Sequence, residues 1–358
     1  MAFADFVGLS VNNVALEIKV ANVTLRSLIQ NKLYHDGVGI TEVYATGADP
    51  NGAVLRVPKI TNASGNFRTL GASTNGGYFN TTAAQIATLT EATIFCKHIY
   101  DEMEDVPQAA HVLSLAGASA VGIRAERIGM QIAKGMNAGT MAYQLAAVIN
   151  AVIAASGTET GRIFTYAPAT DGDALEKFIE ACASLDDGDG GTYHDYFPVE
   201  GRLLLARPTL IKDFKKKGSV IVGGSNYAQE MLQVGALDRD LSVLPELARG
   251  YQGTVNGVPV FLASAALWTL AETWMGVDAG YLDKIVGIVC SYVATGRGYA
   301  FPEQTKVIDS PSGVGLRIQP LANFGVTVFF EKGIKLLANA TFVEGAVAIS
   351  VEAPDSQA

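Results

Sequence analysis

Apolar positions recur at two distinct periods along this chain, and the two periods mark different elements. Val121, Ala125, Ile128 and Ile132 follow the 4, 3, 4 spacing of one helical face, while Arg124, Glu126, Arg127 and Lys134 fall on the others. This predicts a long helix from about Gln108 to Asn137. About thirty residues at 1.5 Å each span about 45 Å, the length of a strut rather than of a small-core helix. A second, more apolar helix is predicted over Met141–Ala155, interrupted by Gln144 and Asn150. A third follows in DGDALEKFIEACASLDDGDGG, residues 171–191. There Asp173 and Glu176 have capping-box spacing, Leu175, Phe178, Ile179, Cys182 and Leu185 form the apolar face, and Gly188 breaks the run.

The other rhythm is that of strands. In PVEGRLLLARPTLIKDFKKKG, residues 198–218, the continuous run Arg202–Ala206 has the length and composition of a buried strand. Pro208 suits the first turn of a helix that buries Leu210, Ile211 and Phe214. Lys215 to Lys217 suit the negative end of that helix and Gly218 the residue after it. Asn256-Gly257 between Val255 and Val258 predicts a tight hairpin. Further strands are predicted within 284–296, 313–320 and 324–338.

The first 35 residues carry little turn chemistry apart from a short helix expected around Ala21–Tyr34. From Asp36 to Thr90, Gly, Asn, Ser and Thr crowd together, flanked by strand-like 52–60 and 84–100. They predict an extended two-stranded excursion with a tip at Thr61–Thr82, where a loop this long is expected to be functional or disordered. Helices and strands mix without a strict βα repeat and without internal repeats, which indicates an α+β fold.

Composition adds a hint of assembly. Of 358 residues, 49% are hydrophobic and only 17% charged, with 38 glycines, which suggests much buried or partner-covered surface. A net charge of -9 argues against a generally basic nucleic-acid binder. The N-terminus lacks a secretory pattern, so the sequons at Asn22, Asn62, Asn80 and Asn339 are expected to be chance. The run Met141–Ala155 is too short and too interrupted to span a membrane. Cys96, Cys182 and Cys290 are far apart and odd in number, which points to free, buried thiols in a reducing compartment.

Chemistry-bearing motifs are incomplete. The Gly-X-Gly starts at Gly37, Gly296 and Gly313 lack a third glycine, and there is no P-loop. The serines of GASTNGG and GASAVG miss the nucleophile-elbow pattern. His35, His98, His111 and His194 are too scattered for a local zinc site. Asp187 and Asp189 precede a misplaced Gly191, and Pro198 stands where a calcium loop needs Glu. Asp101, Glu102, Glu104 and Asp105 are read as a solvated helix start, with an acid-base pair or cation site as the alternative. No residue is therefore assigned as catalytic, cofactor-binding or metal-binding, and no enzymatic activity is expected.

The order of parts carries a resemblance. An N-terminal arm, a two-stranded loop, a long helix, EGRLLLARPTLIKDF, the hairpin GTVNGVPVFLAS and the closing GVGLRIQPLANFGVTVFFEKGIKLLANA together resemble the major capsid proteins of tailed bacteriophages, the Hong Kong 97-like family. The resemblance is one of architecture over about residues 1–345. It implies an N-terminal arm at 1–35, an extended loop at 36–95 and a peripheral domain with a long spine helix at 96–170. An axial domain at 171–315 and return strands with a C-terminal tail at 316–358 complete it. It also implies a shell subunit that partners itself in hexamers and pentamers, together with portal and scaffolding or decoration proteins. The extended loop would lie over a neighbouring subunit, and Lys212 with Lys215 to Lys217 would face a neighbour or packaged double-stranded DNA. That contact would carry no sequence preference, there would be no membrane partner, and the location would be the virion capsid after assembly in the bacterial cytoplasm. No charged helical prosegment precedes residue 36, so a fused scaffolding domain is not expected. An encapsulin-type compartment around a protein cargo shares the implied fold, and a soluble enzyme using the 101–105 carboxylates is a third reading.

Overall fold

The computed structural model describes residues 20–44, 54–60, 89–100, 103–106, 114–115, 118–155, 161–170, 173–188, 196–220, 250–301, 303–309, 316–342 and 347–354. The expected loop tip Thr61–Thr82, most of the arm before residue 20, and Asp101, Glu102, His111, Asp189 and His194 lie outside them. So do the sequons at Asn62 and Asn80. Two large sheets, two two-stranded pairs and five helices make up the described chain: α1 (20–31), α2 (Ala120–Ala154), α3 (Asp173–Asp186), α4 (Pro208–Val220) and α5 (Ala265–Met275).

The leucine run becomes a central strand. Arg202–Ala206 lies inside a six-stranded sheet ordered Tyr251–Val255, Val258–Leu262, Arg202–Ala206, Ile285–Ser291, Ile334–Ala338, Ile163–Thr165. Leu203 and Leu205 enter the core shared with α2 and α5, whereas Leu204 and Ala206 enter a second cluster with Phe178 of α3 and Leu210 and Phe214 of α4. A strand covered on both faces needs apolar residues at every position, which is why this one does not alternate. The Asn-Gly turn forms as expected, with Asn256 at φ 51° and Gly257 at φ 75°, the left-handed values of a two-residue hairpin.

The seven-stranded sheet runs His35–Asp36, Gly39–Tyr44, Thr295–Tyr299, Leu316–Val328, Gln304–Asp309, with His98–Tyr100 and Glu104–Val106 also paired to Leu316–Val328. The chain passes from the seven-stranded to the six-stranded sheet by way of α2, and crosses twice more through single 3-10 turns at Tyr292–Ala294 and Glu331–Gly333. Strands Val54–Ile60 and Leu89–Phe95 form the expected two-stranded excursion and pair only with each other among the described residues.

Several sequence expectations are corrected. Residues 108–137 and 141–155 are not two helices: α2 is one helix of 35 residues, about 52 Å long. It begins at Ala120 because Ser114–Leu115 and Ala118–Ser119 pair as strands. It runs through Gly139, where a Cβ would lie 3.0 Å from the Trp274 ring and 3.3 Å from Phe324, so the glycine admits neighbours rather than ending the helix. Gly218 likewise lies inside α4, which reaches Val220. A single helical glycine costs only about 1 kcal/mol, too little to stop a packed helix. In α3 the buried face is Ala174, Phe178, Ala181, Cys182 and Leu185, while Ile179 is exposed and Leu175 half-buried. The small alanines let α3 sit close against strand Ile334–Ala338. The strands expected at 313–320 and 324–338 are redistributed into Leu316–Val328 and Ile334–Ala338. Pro320 is accommodated in the gap between the two short strands paired at 316–318 and 322–324. Finally, Glu104–Val106 is a strand and not a helix start, since it completes the edge beside Leu316–Ile318.

Candidate functional site: a charge cluster, three amide clamps and an open sheet face

The N-terminal helix, the two sheets and the C-terminal segment are held together by polar side chains. Glu42 is the hub. Its strand pairs in parallel with Thr295–Tyr299, placing Glu42 opposite Arg297. Its Oε1 accepts from Arg297 Nη2 and, at 2.8 Å, from the Tyr299 hydroxyl, while Oε2 accepts from Tyr44 at 3.1 Å. Lys32, just after α1, reaches in to 3.7 Å from Glu42 and 3.5 Å from Glu303, and donates to the Tyr299 hydroxyl at 3.2 Å. Arg297 also donates to the Tyr34 carbonyl at 3.1 Å, but its Nε and Nη1 have no hydrogen-bond partner.

Burial alone would raise the Glu42 pKa, but Arg297 and Lys32, with hydrogen bonds from Arg297 and Tyr299, outweigh it and hold the carboxyl at about 2. Burial, then repulsion by Arg297, lowers Lys32 from its ordinary value despite the two carboxylates. His35 is lowered to about 4, again by burial and then Arg297, and its Nε2 lies 3.1 Å from the Lys32 carbonyl. The cluster thus sets two cations against two carboxylates in a dry junction.

The polar residues that interrupt the apolar face of α2 act as clamps. Asn137 accepts the Leu33 N–H at 3.0 Å and donates to the Asn31 carbonyl at 2.9 Å, gripping the chain where α1 ends. Gln144 accepts from the Tyr34 hydroxyl at 2.7 Å and donates to Thr295 Oγ1 at 3.1 Å. Asn150 accepts the Ile349 N–H at 2.7 Å and donates to its carbonyl at 2.9 Å. The helix crossing itself depends on Gly129, where a Cβ would meet the Thr24 carbonyl at 2.4 Å. The interruption of α2 at Gln144 and Asn150 was visible in the sequence; their partners were not.

One face of the seven-stranded sheet packs on α2 through Ile318, Ala322, Phe324 and Val326. The opposite face is open near the strand edges. Ile99 stands opposite Asn323, two residues from Leu321 on the same face, and Ile308 stands opposite Arg317, whose Nη1 lies 3.8 Å from Met103 Sδ. Ile99 is 59% and Leu321 37% exposed, with Met103, Ile308 and Phe95 exposed nearby. The base of the two-stranded excursion crosses the rest of this face. Thr327 donates to the Thr93 carbonyl at 3.0 Å, Asn323 donates to the Cys96 carbonyl at 3.0 Å, and a Cβ on Gly325 would fall 2.0 Å from the Phe95 carbonyl oxygen.

The other sequence candidates are placed apart. His98 is a core residue among Trp274, Phe324 and Tyr143, whose hydroxyl lies 3.1 Å from Nε2; burial and then Lys97 lower its pKa to about 4. It lies in a different part of the core from His35, and no group of metal-ligating side chains occurs among the described residues. Cys96, Cys182 and Cys290 are free and buried, and burial pushes their thiols up to about 11, 11 and 12. In the basic stretch, Arg202 is committed to the carbonyls of Pro198, Cys182 and Phe197 and to Asp186. Arg207 lies 4.5 Å over the Trp268 ring and donates to the Leu282 carbonyl at 2.9 Å. Lys212 is exposed, and the side chains of Lys215 to Lys217 lie outside the description. No helix among the described residues is long and apolar enough to cross a membrane.

No protein-family model matches the sequence. No curated protein matches it either. Solved structures do. The chain is similar to a chain in the head structure of Helicobacter pylori bacteriophage KHP40, with a TM-score of 0.53 and 9% identity over 85% of this chain and 88% of that one. It is also similar to a Microbacterium phage Oxtober96 chain, with a TM-score of 0.50 and 10% identity over 85% of this chain and 92% of that one. At such identities the fold is shared and the individual residues are not, so two sheets braced by one long helix, with a two-stranded excursion at the side, make this an α+β chain with the fold of a phage head protein.

Proposed function

We propose that this chain is the shell-forming major capsid subunit of a tailed phage, of the Hong Kong 97-like class, assembling with copies of itself around double-stranded DNA. The observation that carries the reading is the likeness to the bacteriophage KHP40 head chain over most of both chains. The open apolar positions Ile99, Met103, Ile308 and Leu321 support it, because a large exposed apolar patch on a soluble chain marks a contact surface. On this reading 1–35 is the arm, 36–95 the extended loop, 96–170 with 316–358 the peripheral part and 171–315 the axial domain. Portal and scaffolding or decoration proteins would be further partners, and the virion capsid the final location. DNA contact would be loose and blind to sequence, since a chain of net charge -9 holds few phosphates.

Electron microscopy of the protein expressed with and without its scaffolding partners tests this. Uniform closed shells, tubes or rings are expected, and a monomer under every condition would refute it. The contents of purified shells separate the two shell readings: nucleic acid or a portal vertex supports the phage subunit, whereas an enriched cargo enzyme supports an encapsulin-type compartment.

A further inference from the structure

The last described segment, 347–354, lies extended beside the second half of α2 and the end of α5 without joining either sheet. Asn150 makes to Ile349 the two bonds that a neighbouring strand residue would make, accepting its N–H at 2.7 Å and donating to its carbonyl at 2.9 Å. Further along, the Trp274 carbonyl accepts the Glu352 N–H at 2.9 Å, and the Tyr143 hydroxyl lies 3.5 Å from the Val351 carbonyl. Every one of these bonds is made to main chain. Two side chains add to them, Val351 at 7% exposure and Ile349, half-buried against the core, whereas Val347 is 78% exposed. A cavity of about 550 Å³ remains between this segment and residues 273–277. Among the described residues, the last one before this segment that is buried in the body of the fold is Phe342, 2% exposed.

We propose that 347–354 is an exchangeable strand, and that the groove formed by Asn150, Tyr143 and Trp274 accepts this same segment from a second copy of the chain. The occupant is named by what the groove already holds: an extended strand gripped by its backbone, with Ile349 and Val351 as apolar anchors. Recognition of this kind resembles addition of a strand to a sheet edge, where main-chain bonds supply affinity. A copy that releases its own segment leaves a matching empty groove, so exchange conserves every bond.

The proposal goes beyond shell formation and is tested on unassembled protein. A fluorescent peptide of residues 343–358 is titrated into the full-length chain and read by polarisation. Saturable binding is expected, competed by unlabelled peptide and weakened at least tenfold by Ile349→Pro in the peptide, which removes the N–H that Asn150 accepts and leaves the chain's own segment unaltered. Val347→Ala in the peptide, at an exposed position, should leave binding within about twofold and serves as the control. Hydrogen exchange on the parent chain provides the second reading: the Ile349 and Glu352 amides should exchange at least a hundredfold faster than those of Ile285–Ser291. Absence of peptide binding, binding indifferent to Ile349→Pro in the peptide, or slow exchange at Ile349 would each overturn it. A chain that binds the peptide yet never forms shells would sink the capsid reading and leave this one standing.

Discussion

Arg202–Ala206 and Thr295–Tyr299 are both five-residue strands, and every residue in each is buried. Their sequences are RLLLA and TGRGY. In the first, Leu203 to Ala206 are buried by the hydrophobic effect, with leucines facing two apolar clusters on either side of the sheet, and only Arg202 at its start needs polar partners, mostly nearby carbonyls. The second buries Arg297 against Glu42, and Tyr299 against Glu42 and Tyr44. Its glycines leave room for neighbours: a Cβ on Gly296 would lie 2.3 Å from the Phe329 ring. An apolar strand is stable against any apolar layer, whereas a buried guanidinium is tolerable only against one particular carboxylate. The first region therefore supplies stability, and the second fixes where the N-terminal helix, the excursion and the body meet.

The largest effect expected is at the charged strand. Arg297→Met leaves Glu42 buried with Lys32 as its remaining cation, and should cost about 3–5 kcal/mol in urea unfolding. Adding Glu42→Met should recover at least half of that loss, because a matched apolar pair replaces an orphaned charge. If the double variant is as unstable as the sum of its parts, the cluster is not a coupled unit.

At the leucine strand, Leu204→Ala should cost about 3 kcal/mol through lost burial and an unfilled cavity between α3, α4 and the sheet. No second substitution at a charged position should rescue it, which separates the two kinds of burial.

Acid should act on the polar side of the comparison. The unfolded chain takes up a proton at His98 near the ordinary 6.5, whereas the folded chain does not until about 4, so stability falls as pH drops through that window. By pH 5 the loss from His98 should be about 2 kcal/mol, and His98→Gln should flatten the profile there. His35 adds to the same window, and Glu42, held at about 2, adds a further loss below about 4.5. A pH-independent melt between 7 and 5 would show these histidines to be hydrated in the folded state.

The smallest change in stability, within about 0.5 kcal/mol, is expected for Ile99→Ser with Leu321→Ser on the open sheet face. Sedimentation should nevertheless show a clear loss of assembled species if that face is an assembly surface. Unchanged assembly would return the face to ordinary surface.

Local signals in the chain were legible where a few neighbouring residues settle the outcome. The Asn-Gly turn, the leucine strand followed by Pro208, the two strands of the excursion and the existence of α3 all follow from spacing and turn chemistry. That 108–137 and 141–155 join into α2 was not legible, because the Gly139 between them shows its role only once Trp274 and Phe324 are brought against it, and the start at Ala120 depends on a strand pair just before it. The rotation of α3 was misread because periodicity allows several adjacent faces, and the strand beneath selected the one with alanines.

Amino-acid order by itself thus determined the α+β class, the mostly apolar layers and the interruptions at Gln144 and Asn150. It could not determine what the amides of α2 hold, since a side-chain amide binds any backbone brought within reach; the tertiary structure decided that Asn137 takes the end of α1 and Asn150 takes Ile349. The same holds for the charge cluster, where Glu42 and Arg297 are 255 positions apart and nothing local marks either as buried. Hydrophobic patterning is additive along a chain and can be read from it, whereas a buried charge is stable only in a pairing that the finished fold alone brings about.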